Sequence, residues 1–176
     1  MTVSDVLNET KRESANKTGQ MRVLFVCVGN ICRSPTAQGV FQALLRNRAL
    51  TNQIESDSAG TTSYHVGEAP DSRAQHAARR RGYDLSAIRS RRLVAADFER
   101  FDLVLAMDRP VLDELRRLCP SAQKGKVHLF MDFSNTHCGD DVPDPYYGGT
   151  DGFERVLDMI ESGAQGILDA CLADKR

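Results

Sequence analysis

The chain has 176 residues, of which 41% are hydrophobic and 27% charged, and its formal net charge is −1. That length suits one domain with a sizeable core, and the balanced charge gives no global pull toward nucleic acid or an anionic membrane. No apolar stretch approaches the roughly 18 residues that cross a bilayer, and MTVSDVLNETKRESANKTGQ (1–20) has no apolar signal core.

Residues 1–20 hold only Val3, Val6 and Leu7 to bury and read as a flexible tail, leaving one domain over 21–176. MRVLFVC (21–27) is a nearly continuous apolar run, the pattern of a strand covered on both faces. After a loop, Ser34 offers an N-cap and Pro35 a first helical residue, and Ala37, Val40, Phe41, Leu44 and Leu45 share one helical face. A second strand is expected at Ile54–Ser58, ending in a turn at Ser58-Ala59-Gly60-Thr61. Asp71 to Arg81 reads as a helix stopped at Gly82. FDLVLAM (101–107) is another buried strand, Asp108-Arg109-Pro110 opens a helix to about Leu118, and KVHLFM (126–131) is a further strand. HCGDDVPDPYYGGTDG (137–152) is loop, and Phe153, Val156, Leu157, Ile160, Ala164, Ile167, Leu168 and Cys171 then line one face of a last helix.

This strand–helix alternation predicts an α/β fold: a parallel sheet with helices on both faces, a three-layer αβα sandwich. Ligands of such sheets bind beyond the carboxyl ends of the strands, which is where Cys27 sits. The five cysteines (Cys27, Cys32, Cys119, Cys138, Cys171) are an odd set without an export signal, and they read as reduced cytoplasmic thiols.

Residues 26–34 read VCVGNICRS. A turn of this kind can aim successive backbone N–H groups at an anion, and the following helix start adds more donors and a positive dipole end. Arg33 supplies a planar fork for two phosphate oxygens. The same surroundings favour a thiolate on Cys27, a nucleophile beneath the bound anion. The plain alternative makes Cys27 a small core residue and Arg33 a surface charge. The strand before the motif and the Ser-Pro helix start after it weigh against that. The G-x4-G-K-[ST] pattern is absent, which removes support for nucleotide binding.

Expelling an alcohol or phenol from phosphorus calls for a general acid. Asp144 lies between Pro143 and Pro145 in a loop that aromatic rings could shield from water; Asp140 and Asp141 are rivals in the same loop. Cys119, His137, Cys138, Asp140 and Asp141 lack paired metal-ligand spacing, so no metal and no cofactor are expected.

These residues resemble the low-molecular-weight protein tyrosine phosphatases. Val26 to Ser34 looks like that family's phosphate loop; Asp57-Ser58-Ala59-Gly60-Thr61, the Pro70-Asp71-Ser72-Arg73-Ala74 stretch, Ala106-Met107-Asp108 and Asp144-Pro145-Tyr146-Tyr147-Gly148 resemble later segments in the family's order. The resemblance implies a four-stranded parallel sheet and a cysteinyl-phosphate intermediate, with Cys27 as nucleophile, Arg33 as phosphate clamp and Asp144 as general acid and base. Gly29, Ile31 and Cys32 would complete the loop around the phosphate. Asn30 and Ser58 would shape it by hydrogen bonds, and Ser34 would lie close to the thiolate. Val28, Tyr64, Tyr146 and Tyr147 would line the entrance and hold an aromatic ring. Cys32 would trap oxidised Cys27 as a reversible disulfide.

Two rivals share this fold by resemblance. Arsenate reductases use a relay of further cysteines, and the stretch 97–108 has none. Protein arginine phosphatases carry threonine where this chain has Ile31, so the larger side chain favours phosphotyrosine. A catalytically silent binding module would need no nucleophile. The expected partners are tyrosine-phosphorylated proteins, a tyrosine autokinase among the candidates, with no nucleic acid and no membrane insertion. A cytoplasmic monomer or weak dimer is expected.

Overall fold

A strand that is apolar on both sides needs a layer on each, and β1 (Met21–Cys27) has them. Val23, Phe25 and Cys27 join one core cluster, while Leu24 and Val26 join the other. The two-residue period of the strand dictates that split. The computed structural model describes residues 5, 6 and 19–173. Most of the segment read as a tail, residues 1–4 and 7–18, therefore lies outside the described residues, as do 174–176.

The elements after β1 are α1 (Arg33–Asn47), β2 (Ile54–Gly60), α2 (Ser72–Arg80), α3 (Asp97–Arg100), β3 (Leu103–Ala106), α4 (Arg109–Leu118), β4 (Val127–Leu129) and α5 (Thr150–Ala173). The strands form one sheet in the order β2-β1-β3-β4, and every pair is parallel. Side chains of α1, α2 and α5 bury against one face, and those of α3 and α4 against the other. This is the expected three-layer sandwich on a four-stranded parallel sheet. No helix among the described residues is long and apolar enough to cross a membrane.

Aromatic packing fixes the first layer. The ring of Phe25 meets those of Phe41 and Phe130 edge-on, with centroids 5.7 Å away in both cases. All three are fully buried, and burial of such a side chain is worth about 1.5–3 kcal/mol. The predicted face of α5 is buried along its whole length, from Phe153 to Cys171.

Three local expectations change. Ser34 does not cap α1: the helix starts at Arg33 with Cys32 as N-cap, and the Ser34 hydroxyl turns to the Cys27 sulfur 3.0 Å away. β2 runs on to Gly60 instead of turning at Ser58, because Phe25, Val26 and Cys27 pair with Ser58, Ala59 and Gly60. Only glycine fits at that end, since a Cβ on Gly60 would meet the Val28 carbonyl oxygen at 2.7 Å. The apolar run 126–131 leaves the sheet after Leu129 and closes a 3-10 turn, Phe130–Phe133, against α5. The short α3 follows from Phe98 and Phe101, which pack under the second face of the sheet. α2 ends as expected, with Gly82 at a φ of 87° and the Tyr83 N–H returning to the Ala78 carbonyl at 3.0 Å.

The contact between α5 and the 130–133 turn leaves no room for a side chain. A Cβ on Gly166 would lie 1.7 Å from the Phe133 carbonyl oxygen, and one on Gly163 would lie 2.6 Å from the Phe130 ring. Gly166→Ala is therefore expected to lower the unfolding free energy by about 3 kcal/mol or more, read from urea denaturation.

α2 and α5 are also joined where Tyr83 donates to the Glu161 carboxylate at 2.9 Å. Burial, then Glu161, pushes the Tyr83 phenol up from 10.0 to about 12. The folded protein holds that proton more tightly than the unfolded chain does. Its contribution is complete below pH 10.0 and is lost as pH rises toward about 12. The stability gap between wild type and Tyr83→Phe, from urea midpoints, should narrow between about pH 10 and about pH 12.

Candidate active site

β1, β2 and β3 end at one edge of the sheet, with Cys27 beside Gly60 and Val26 beside Ala106. The loop from Cys27 to α1 crosses this edge, the place where open parallel sheets bind ligands. Its geometry rests on Asn30, which is fully buried and has a φ of 55°. Asparagine tolerates this left-handed backbone better than most residues. The Asn30 amide donates to the Ser34 hydroxyl at 2.8 Å and to the Ser58 hydroxyl at 2.9 Å. Its carbonyl accepts from the Arg91 N–H at 2.9 Å. Ser58 passes its own proton to Gln38 at 2.6 Å.

These bonds converge on the sulfur. The Asn30 N–H donates to Cys27 Sγ at 3.3 Å, and the Ser34 hydroxyl lies 3.0 Å from it. Ser34 accepts from Asn30, and its single proton has two acceptors within reach, the sulfur at 3.0 Å and the Ala59 carbonyl at 3.4 Å.

Arg33 is 2% exposed. One guanidinium nitrogen donates to Asp108 Oδ2 and also to the Val142 carbonyl at 3.1 Å. The other lies 3.7 Å from Asp144. Burial works against the charge, but Cys27 and Asp108 outweigh it, and the guanidinium holds its proton more tightly than usual. The Cys32 thiol behaves oppositely to an activated cysteine: burial, then the charges of Asp71 and Cys27, push it up to about 12.

Above the loop lies a cavity of about 240 Å³. Cys27, Val28, Gly29, Ile31, Cys32 and Arg33 line its floor, and Tyr64, Asp144, Tyr146 and Tyr147 complete the wall. Asn30, Ser34 and Ser58 lie buried beneath it. Every residue that the family resemblance assigns to the site is thus either at the cavity or buried beside the residues that line it. The shielding expected for Asp144 is partial, since its side chain is 45% exposed. Its rivals are engaged elsewhere: Asp141 pairs with Arg109 at 2.9 Å, and Asp140 faces His137 at 3.5 Å.

Sequence reasoning missed four contributors. Asp108 reads as a helix start and as part of the family-like Ala106-Met107-Asp108 segment, without a role in the site; its Oδ1 does cap α4 by accepting from the Val111 N–H at 2.9 Å, which leaves Oδ2 for Arg33. His65 and Thr62 line the cavity from a loop with no distinctive pattern. Arg91 braces Asn30 through its own ion pairs with Asp57 and Asp97, both at 3.0 Å. The only available signal for these was position just after a strand end. Among the described residues, no group of three or more His, Cys, Asp or Glu side chains is arranged to hold a metal ion.

The profile of the family described as low molecular weight phosphotyrosine protein phosphatase matches residues 22–176. A low molecular weight protein-tyrosine-phosphatase of Streptomyces coelicolor is 45% identical over 152 residues, covering 85% of this chain and 92% of that protein. A crystal structure of a protein tyrosine phosphatase from Entamoeba histolytica, with Hepes in the active site, is 43% identical with a TM-score of 0.85, covering 89% of this chain and all of that one. The crystal structure of YfkJ from Bacillus subtilis is 33% identical with a TM-score of 0.84, covering 92% of this chain and all of that one. With the Cys27–Arg33 loop and Asp144 gathered at the end of a four-stranded parallel sheet, and with these matches over most of its length, the chain belongs to the low molecular weight phosphotyrosine protein phosphatase family.

Proposed function

We propose that this protein hydrolyses phosphotyrosine in proteins through a cysteinyl-phosphate intermediate. The observation that carries this is a buried sulfur at the floor of a cavity, held by the Asn30 N–H and the Ser34 hydroxyl, with Arg33 and Asp144 at the same opening. The Cys27 thiolate attacks phosphorus, and the bond to the phenolic oxygen breaks. Asp144 gives its proton to that oxygen, so tyrosine leaves neutral. Water then attacks the thiophosphate, Asp144 takes the water's proton, and the S–P bond breaks to release inorganic phosphate and the thiolate. Arg33, fixed by Asp108, holds two phosphoryl oxygens through both steps.

The rim supports the choice of substrate. Tyr64 and Tyr146 offer ring faces to an aryl group, and Tyr146 meets His65 and Tyr147 to form a continuous aromatic edge. A phosphoserine side chain is shorter and has no ring to place there. Ile31 presents an aliphatic side chain to the cavity where an arginine phosphatase would need a polar partner. An odd number of cysteines, five, is in keeping with action in a reducing cytoplasm on phosphorylated proteins such as a tyrosine autokinase.

Phosphotyrosine, phosphoserine and phosphoarginine peptides, compared without added metal, should show turnover of the first alone. Cys27→Ser should abolish it, and Asp144→Ala should slow it by about 10²–10⁴-fold. Preferential turnover of phosphoarginine would keep the mechanism and reverse the reading of Ile31. No turnover of any peptide would reduce the site to an anion binder.

A second reading concerns oxidation. Peroxide takes the Cys27 thiolate to a sulfenic acid with loss of hydroxide, and the Cys32 sulfur displaces water from it to give a disulfide. The negative charge on Cys27 is one of the causes that hold Cys32 as a thiol. Oxidation removes that charge, so Cys32 becomes more reactive when it is needed. Activity lost to peroxide should return with a thiol reductant in wild type, and Cys32→Ser should recover far less. Equal recovery in the two would sink the idea.

A further inference from the structure

Asp144 stands in a segment without regular structure, between the 3-10 turn that ends at Phe133 and the start of α5 at Thr150. Its nearest cationic group, on Arg33, is 3.7 Å away, beyond hydrogen-bond range. Something else must set where this carboxyl lies relative to Cys27. A continuous path of contacts leads there from the phosphate loop. The Asp71 N–H donates to the Ile31 carbonyl at 2.7 Å. The Asp71 carboxylate grips Arg73 with both oxygens, at 3.0 Å to Nε and 2.8 Å to Nη2. The Arg73 guanidinium carbon then lies 5.4 Å from the centre of the Tyr146 ring and 4.9 Å from that of Phe153. Finally, the Tyr146 N–H donates to Asp144 Oδ1 at 3.0 Å.

We propose that Arg73 is a positioning residue for the general acid: anchored to the phosphate loop through Asp71 and stacked on Tyr146, it fixes the distance between the Asp144 carboxyl and the Cys27 sulfur. This rests on the assignment of Asp144 as the acid. Global stability is a poor explanation for the arrangement. The Arg73 side chain is 41% exposed, and ion pairs at such sites contribute little to folding. The flat, two-pronged guanidinium is what the geometry uses, since it binds a carboxylate edge-on while laying a face against a ring. A lysine would keep the charge and lose both contacts in their present form.

The test separates proton delivery from substrate holding. Phenyl phosphate needs a proton on its leaving oxygen, whereas 2,4-dinitrophenyl phosphate releases a stable phenolate without one. kcat/KM, which reports the steps through P–O cleavage, is measured for both on wild type, Arg73→Ala, Arg73→Lys, Asp144→Ala and Arg73→Ala/Asp144→Ala. Melting temperatures confirm that each variant is folded. Arg73→Ala is expected to cost about tenfold or more on phenyl phosphate, the scale of a small misplacement of a catalytic group. On the dinitrophenyl ester it should stay within about twofold of wild type. Arg73→Lys should fall between, and Arg73→Ala should add nothing on phenyl phosphate once Asp144 is already alanine. Equal losses on both esters would mean that Arg73 only supports the ring-binding wall, and would overturn the proposal. Wild-type behaviour of Arg73→Ala beside a strongly leaving-group-dependent Asp144→Ala would overturn it alone. If Asp144→Ala shows no dependence on the leaving group, the acid assignment falls and this inference falls with it.

Discussion

The side chain of Asn30 is the constraint on which the site depends. It is fully buried, sits on a left-handed backbone, and uses both amide protons and its oxygen within the protein. Leaving one such buried group unpaired costs about 1–3 kcal/mol, so the three partners are not interchangeable with water. Each partner comes from a different part of the chain: Ser34 from the start of α1, Ser58 from β2, and Arg91 from the segment before α3. The loop conformation is thus specified by the fold around it. The sulfur receives its two polar contacts from the same loop, one from the Asn30 backbone and one from a serine that Asn30 orients.

Charge explains the rest of the arrangement. A buried guanidinium is expensive unless it is paired, and Arg33 is paired with Asp108. That pair is nearly neutral as a unit. In the proposed mechanism a phosphate dianion would therefore not be held by Arg33 alone, and the loop N–H groups and the amino end of α1 would supply what remains without a counter-charge to desolvate. Asp108 contributes rigidity as well, since one of its oxygens caps α4 while the other aims Arg33. The two loop cysteines also differ in their surroundings: the Cys27 sulfur has two polar contacts, while burial, then Asp71 and Cys27, keep Cys32 a thiol.

The cavity wall opposite the loop is built more loosely. Tyr64 and Tyr147 are 82% and 91% exposed, and Asp144 is nearly half exposed. A floor held by buried hydrogen bonds and a wall of exposed rings divide the labour between chemistry and recognition. The floor resists change because each of its polar groups has a partner. The exposed rings of Tyr64 and Tyr147 carry little of the core on them, so the packing around Cys27 does not depend on them.

Apolar periodicity by itself determined the strand at 21–27, the core of the expected 101–107 strand (Leu103–Ala106), the faces of α1 and α5, and the parallel three-layer fold that their alternation requires. The sequence also singled out Cys27, Arg33 and Asp144 as candidates, and the fold brings the three to one cavity. It could not place Asp108 or Arg91, whose partners lie 75 and 61 residues away in contacts that no local pattern encodes. It misplaced the ends of β2 and β4 for a related reason. Ser58, Ala59 and Gly60 look like a turn until the register with β1 pairs them, and Phe130 and Met131 look like strand until α5 claims the turn that follows Leu129. Local chemistry chose the reactive residues. Only tertiary structure decided which buried groups hold them, because a hydrogen bond across the sheet edge depends on register and layer packing that the chain acquires on folding.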